Sequence, residues 1–181
     1  MIIDTHAHLD HLPNLDLALD EAAKAGVEGI VAVSMDFASC LRNLEIKKTK
    51  DRPKIYLACG MHPCEANLEQ IPSCVKMIEE NASELTAIGE IGLDFWYKWV
   101  KKDIQKKEEQ VKVFRHFLTL AREMNLPAII HSRGAWQECL ALAKEVDLKK
   151  ALFHWYSGPV DILREIIARG YYVSTSPSLA Y

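Results

Sequence analysis

Residues 1–10, MIIDTHAHLD, put two imidazoles, His6 and His8, two positions apart at the end of an apolar strand. In an extended strand alternate side chains share a face, so both rings point the same way, about 6.6 Å apart along the backbone. A single ion can be gripped by both. Taken alone, the stretch reads equally well as a buried strand followed by polar loop residues. The pattern recurs, however: apolar strands again end in a metal-capable side chain at Glu90 (TAIGEI), His131 (PAIIH) and His154 (ALFH).

Between these points strand and helix alternate. Further strands are expected at 29–35, 55–60 and 171–174, beside those at 86–91, 127–131 and 151–154. Helices are expected at 15–24, 36–48, 68–81, 104–124, 135–146 and 160–168. The longest carries Ile104, Val111, Phe114, Leu118 and Ala121 on one stripe, which predicts a face packed on the sheet. Strands that are apolar throughout, joined by helices, predict a parallel sheet covered by helices. An open doubly wound sheet gathers its chemistry at one switch point, whereas here the candidate ligands end strands one, four, five and six. Only a closed barrel brings those ends to one mouth. The expected fold is therefore α/β, a TIM-type barrel, in a single domain over residues 1–181 with no internal linker. Such barrels run to about 250 residues, so with 181 residues this one is expected to be truncated after strand seven.

Composition narrows the function. A net charge of -3 argues against a surface given over to polyanions, so nucleic-acid contact must come from a local patch. Five cysteines without a CxxC spacing, several inside apolar runs, fit reduced thiols in a reducing cytoplasm. No run is long enough to span a bilayer and no leader pattern opens the chain, so a cytoplasmic, membrane-free protein is expected.

The paired histidines could hold zinc, manganese, nickel or iron. Asp4 and Thr5 are expected to orient the rings, and His11 to be a solvated loop residue. Glu90 ends an otherwise small and apolar strand, where an unpaired carboxylate is costly. It is expected either to meet a cation, bridging two ions, or to form a salt bridge. Gly89 and Gly92 let something approach it closely. Asp94 suits a partner that fixes a histidine tautomer. His62, ending GMHP, and Arg133, following PAIIHS, are assigned to substrate contact, and His116 to solvent. After strand four, Phe95, Trp96, Tyr97 and Trp99 interleave with Lys98, Lys101 and Lys102. Aromatics beside cations suit a grip on single-stranded nucleic acid, with Trp96 and Lys101 the named contacts. A lysine-rich helix start with aromatics tucked onto the barrel is the equal alternative.

The ordered set DTHAHLD, GMHP, IGEIGLDF, PAIIHSR and FHWYSG resembles the TatD-type metal-dependent deoxyribonucleases of the amidohydrolase superfamily, over the whole chain. The resemblance implies a TIM barrel with two divalent ions (magnesium, manganese or zinc). It implies His6 and His8 on the first, Glu90 shared and acting in catalysis, and His131 and His154 on the second. It also implies a strand-eight aspartate, for which the sequence to Tyr181 offers no counterpart. Gly134 stands where many relatives carry an acid, and Trp155 and Tyr156 replace the more usual Cys and Phe.

Three functions follow as expectations. The first is hydrolysis of DNA phosphodiesters by a 3′–5′ exonuclease acting on single-stranded ends. The second is an amide or ester hydrolase, including a D-aminoacyl-tRNA deacylase. The third is an inactive partial barrel that serves as a binding module. Because histidine ligands must be neutral, metal occupancy is expected to fall below about pH 6.5. The sequence leaves the oligomeric state open.

Overall fold

The computed structural model describes residues 2–176. Seven strands form one parallel sheet in the order of the chain: β1 (Ile2–Ala7), β2 (Val27–Val33), β3 (Lys54–Cys59), β4 (Leu85–Gly92), β5 (Ala128–His131), β6 (Ala151–Phe153) and β7 (Tyr172–Val173). Each consecutive pair is joined through a helix: α1 (Leu15–Lys24), α2 (Phe37–Thr49), α3 (Ile71–Glu80), α4 (Ile104–Glu123), α5 (Trp136–Glu145) and α6 (Val160–Ala168). This is the winding of a TIM-type barrel, curled through seven strands. Among the described residues β1 and β7 pair on one side only. Met1, expected in the first strand, lies outside the described residues.

The curl follows from one contact. Neighbouring strands are spaced about 4.8 Å apart, so in a flat sheet β1 and β6 would stand about 24 Å from each other. Yet the rings of His6, in β1, and His154, just after β6, stack with centroids 3.4 Å apart. Val33, Ala58, Ala87 and Ile129 form the cluster inside the curl. The alternate residues of the same strands, among them Leu57, Ile88, Ile130 and Phe153, pack outward with Phe114, Phe117, Leu118 and Cys139 of the helices.

Most elements fall within two residues of their expected bounds. The segment expected as one helix over 68–81 is split, a 3-10 turn at Leu68–Gln70 preceding α3, whose second residue is Pro72. Proline lacks the N–H that would bond back into the turn before it, so it opens a helix well and continues one poorly. On α4 the expected stripe is buried from Phe114 onward, but Ile104 is 72% exposed. As the first residue of α4, it overhangs the sheet. Cys40, Cys59, Cys74 and Cys139 are buried and all five cysteines are free thiols. No helix among the described residues is long and apolar enough to cross a membrane.

Candidate metal centre

Parallel strands end on the same rim, and that rim collects the chemistry. His6 lies near the end of β1, Glu90 in the last turn of β4, His131 ends β5, and His62 and His154 follow β3 and β6. Together with His8, Tyr97, Ser132, Arg133 and Trp155 they line one cavity of 760 Å³.

Glu90 stands at its centre and is 2% exposed. Its two oxygens face different imidazoles. Oε2 lies 3.1 Å from His6 Nε2 and 3.6 Å from His8 Nε2. Oε1 lies 3.0 Å from His131 Nδ1 and 3.9 Å from His62 Nε2. Burial pushes the Glu90 carboxyl up, but hydrogen bonds from His131 and His6 and the nearby His62 hold it well below the usual carboxylate range. It is an anion wrapped in imidazoles.

Those imidazoles differ in charge. Burial drives His62 and His154 down to about 3 and lowers His8 as well, so their rings are neutral. Burial opposes the charge on His131 too, but bonds to Asp94 and Glu90 outweigh it and raise the ring to about 9. Asp94, fully buried, places Oδ2 2.8 Å from His131 Nε2 and 2.8 Å from Arg133 Nε, while Oδ1 accepts the Trp96 N–H at 3.0 Å. It therefore fixes the orientation of the His131 ring and favours its charge, where the expectation was a fixed tautomer.

The donor set fits divalent cations. Ligand atoms of His6, Glu90 and His154 lie within 4.8 Å of one another, as do those of His62, Glu90 and His131. The Nδ1 atoms of His6 and His8 are buried without a hydrogen-bond partner. Buried ring nitrogens left without such bonds are what a cation would relieve. One pairing differs from the implied one. His154 groups with His6 rather than with His131, because the curl carries the end of β6 across the mouth to β1.

His62 is nearer the centre than a substrate contact needed to be, and it completes the second group with Glu90 and His131. Its Nδ1 accepts the N–H of Cys64 at 3.1 Å and lies 2.9 Å from Cys64 Sγ, while Nε2 turns inward, 3.3 Å from His131 Nδ1. The expected aromatic contacts are rearranged. Trp96 packs edge-on against Trp136 and over Gly134, where a Cβ would come within 2.2 Å of its ring. An acid at position 134 would collide with that indole. Neither Trp96 nor Lys101 lines the cavity; Tyr97 and Trp155 do. His11 and His116 are exposed, as expected.

One contributor gave only a faint sequence signal. Gln110, buried in α4, accepts the Asp94 N–H through Oε1 at 3.0 Å and donates Nε2 to the Pro63 carbonyl at 3.0 Å. It ties the loop bearing Asp94 to the loop bearing His62. A polar residue inside the apolar stripe of a helix was the only available cue.

Gly92 explains the close approach expected beside Glu90. Its φ is +150°, and a Cβ there would lie 1.9 Å from the carbonyl oxygen of His131. What approaches is the backbone of β5 itself, which sets His131 against Glu90.

Comparison with known proteins agrees with this geometry. Residues 3–181 match the family described as TatD related DNase. The uncharacterized metal-dependent hydrolase MJ1582 of Methanocaldococcus jannaschii is 34% identical over 99% of this chain and 69% of its own length. Human deoxyribonuclease TATDN3 is 30% identical over 98% of this chain and 69% of its own length. The crystal structure of YjjV, a TatD homologue from Escherichia coli, superposes with a TM-score of 0.89 at 26% identity, over 99% of this chain and 70% of that one. Motif order, barrel winding and an imidazole-wrapped carboxylate thus converge, and the chain belongs to the TatD-related DNase family of metal-dependent hydrolases.

Proposed function

We propose that this chain, as one barrel domain, hydrolyses phosphodiester bonds at the ends of single-stranded DNA as a 3′–5′ exonuclease. Two divalent cations would be held by His6, His8, Glu90, His131 and His154. The observation that carries this reading is the division of Glu90, whose Oε2 faces His6 and His8 while Oε1 faces His131. A carboxylate so placed is suited to serve two ions at once. When bound, such a pair lowers the pKa of water and stabilises the oxygens that gain charge during in-line displacement.

The protein's own groups do the rest. Asp94 keeps Nε2 of His131 occupied and leaves Nδ1 turned to Glu90. Its other partner, Arg133, uses Nε for that contact, which leaves the two terminal nitrogens of the guanidinium for a phosphate. Nε2 of His62, turned inward, is a second contact for a substrate oxygen. An imidazole-rich set favours zinc over magnesium. Free, mostly buried thiols accord with a cytoplasmic setting.

The test is a substrate panel with the protein loaded separately with zinc, manganese or magnesium. Single- and double-stranded DNA, RNA, an amide and a misacylated transfer RNA would be compared. The expected result is stepwise shortening of a 5′-labelled single strand from its 3′ end. Ester or amide hydrolysis with DNA left intact would overturn the proposal.

A further inference from the structure

Two aromatic columns stand at the mouth of the cavity, and each ends in an exposed indole. In the first, His6 stacks on His154 at 3.4 Å, and His154 stacks on Trp155 at 5.1 Å with the planes 23° apart. Trp155 remains 54% exposed. In the second, Tyr97 carries the Arg133 guanidinium 4.9 Å from its ring centre and stacks with Trp99 at 4.4 Å. Trp99 is 58% exposed.

Both positions look built for a contact. Trp155 adopts φ +44°, a left-handed backbone that is unfavourable for a non-glycine residue and persists where surroundings hold it. Its N–H donates to Ser174 Oγ at 3.0 Å, which anchors the strained turn. Around Trp99, Lys98, Lys101 and Lys102 are exposed, and none forms an ion pair among the described residues. Flat apolar faces next to unspent cations match a chain of bases and phosphates better than an apolar peptide or lipid.

We propose that Trp155 and Trp99 are two base platforms on a single-strand track, Trp155 stacking the terminal nucleobase at the cavity and Trp99 stacking a base further along the strand. The inference rests on the DNA reading above and sharpens it. A base inside a duplex is stacked on both faces and offers none to Trp99, so the pair of platforms selects unpaired strands. Trp155 lines the same cavity as Glu90, which brings the first internucleotide phosphate within reach of the site. Trp99 lies outside that cavity and meets only longer strands.

The experiment measures binding in chelator, without turnover, by fluorescence anisotropy of labelled thymidine dinucleotide and decathymidylate. Trp155→Ala is expected to weaken both by about tenfold, and Trp99→Ala to weaken only the decamer by a similar factor. Trp155→Phe should recover part of the loss. In the wild-type protein an abasic 3′-terminal nucleotide should cost about tenfold, and in Trp155→Ala it should cost nothing further. The wild-type half of this comparison probes the intact protein, so it stands even if the alanine variant folds poorly, and an abasic end that costs nothing there would overturn the Trp155 platform. Unchanged decamer affinity in both alanine variants, or an abasic penalty that persists in Trp155→Ala, would overturn the platforms. DNA cleaved by a protein indifferent to both tryptophans sinks this inference alone, whereas no binding or cleavage of any DNA sinks the parent reading as well.

Discussion

Nε2 of His131 lies 2.8 Å from Oδ2 of Asp94, and that contact decides which ring nitrogen is offered to Glu90. Replacing Asp94 by Asn keeps the shape but removes the negative charge that anchors the ring. Asp94→Asn is expected to weaken metal binding by about 10–100-fold, the usual cost of losing a carboxylate behind a histidine ligand. Calorimetric titration with zinc or manganese checks it, with circular dichroism as the control for folding. Unaltered affinity would leave Asp94 as an anchor for Arg133 only.

Gly92 and Gly26 both have positive φ but face opposite surroundings. A Cβ at Gly92 would strike the His131 carbonyl at 1.9 Å, whereas at Gly26, φ +87°, nothing lies within 4 Å. Gly92→Ala should therefore cost about 3–5 kcal/mol, combining strain and collision. Gly26→Ala should cost about 1 kcal/mol from the left-handed backbone alone. Thermal melts should separate them by roughly 5–15 °C.

Gln110→Leu fills the same space and removes both bonds. The Asp94 N–H and the Pro63 carbonyl would be left without their partner, at about 1–3 kcal/mol each. The melting temperature should fall, and metal affinity with it, because the loops holding Asp94 and His62 lose their common tie. A lower melt with unchanged metal affinity would make Gln110 a core residue and nothing more.

The metal-free protein should be most stable near pH 6.5. His131 is held near 9, above its ordinary 6.5, so its contribution is full below pH 6.5 and is lost as pH rises toward 9. His62 and His154, held near 3, contribute above pH 6.5 and lose that contribution as pH falls toward 3. Glu90 and Asp94, both held low, add to the acid-side loss. Melts in chelator across pH 4–10 test the dome, and a flat profile between pH 6.5 and 9 would exclude the His131 part. Metal uptake carries a related signature. Binding at His131 must displace its proton, so affinity should rise about tenfold per pH unit from 7 to 9, with about one proton released in calorimetry. The expected fall in occupancy below pH 6.5 thus becomes a loss that begins on the alkaline side.

The barrel winding was legible because its cause is local: each apolar run ends at a polar or glycine residue, and each helix carries a stripe. The convergence of His6, His8, Glu90, His131 and His154 was legible for the same reason, since parallel strands must end on one rim. What escaped was set by curvature and packing. The stacking of His154 on His6 depends on how far six strands curl, which no spacing encodes. Trp96 and Tyr97 are adjacent in the chain but point to different places, one onto Gly134 and the other into the cavity, and only the loop's path decides which. Gln110 looked like any polar residue on a long helix until its two partners were in view.

His6 and His154 come from nearly opposite ends of the described chain and meet face to face across the mouth. A ligand that grips both acts as a clasp. It would join the first strand of the sheet to the sixth, so the site is completed only once the sixth strand has docked. Folding and loading are then coupled, and scarcity of the ion would surface first as a loosening of the mouth between β1 and β6 rather than as a slower reaction.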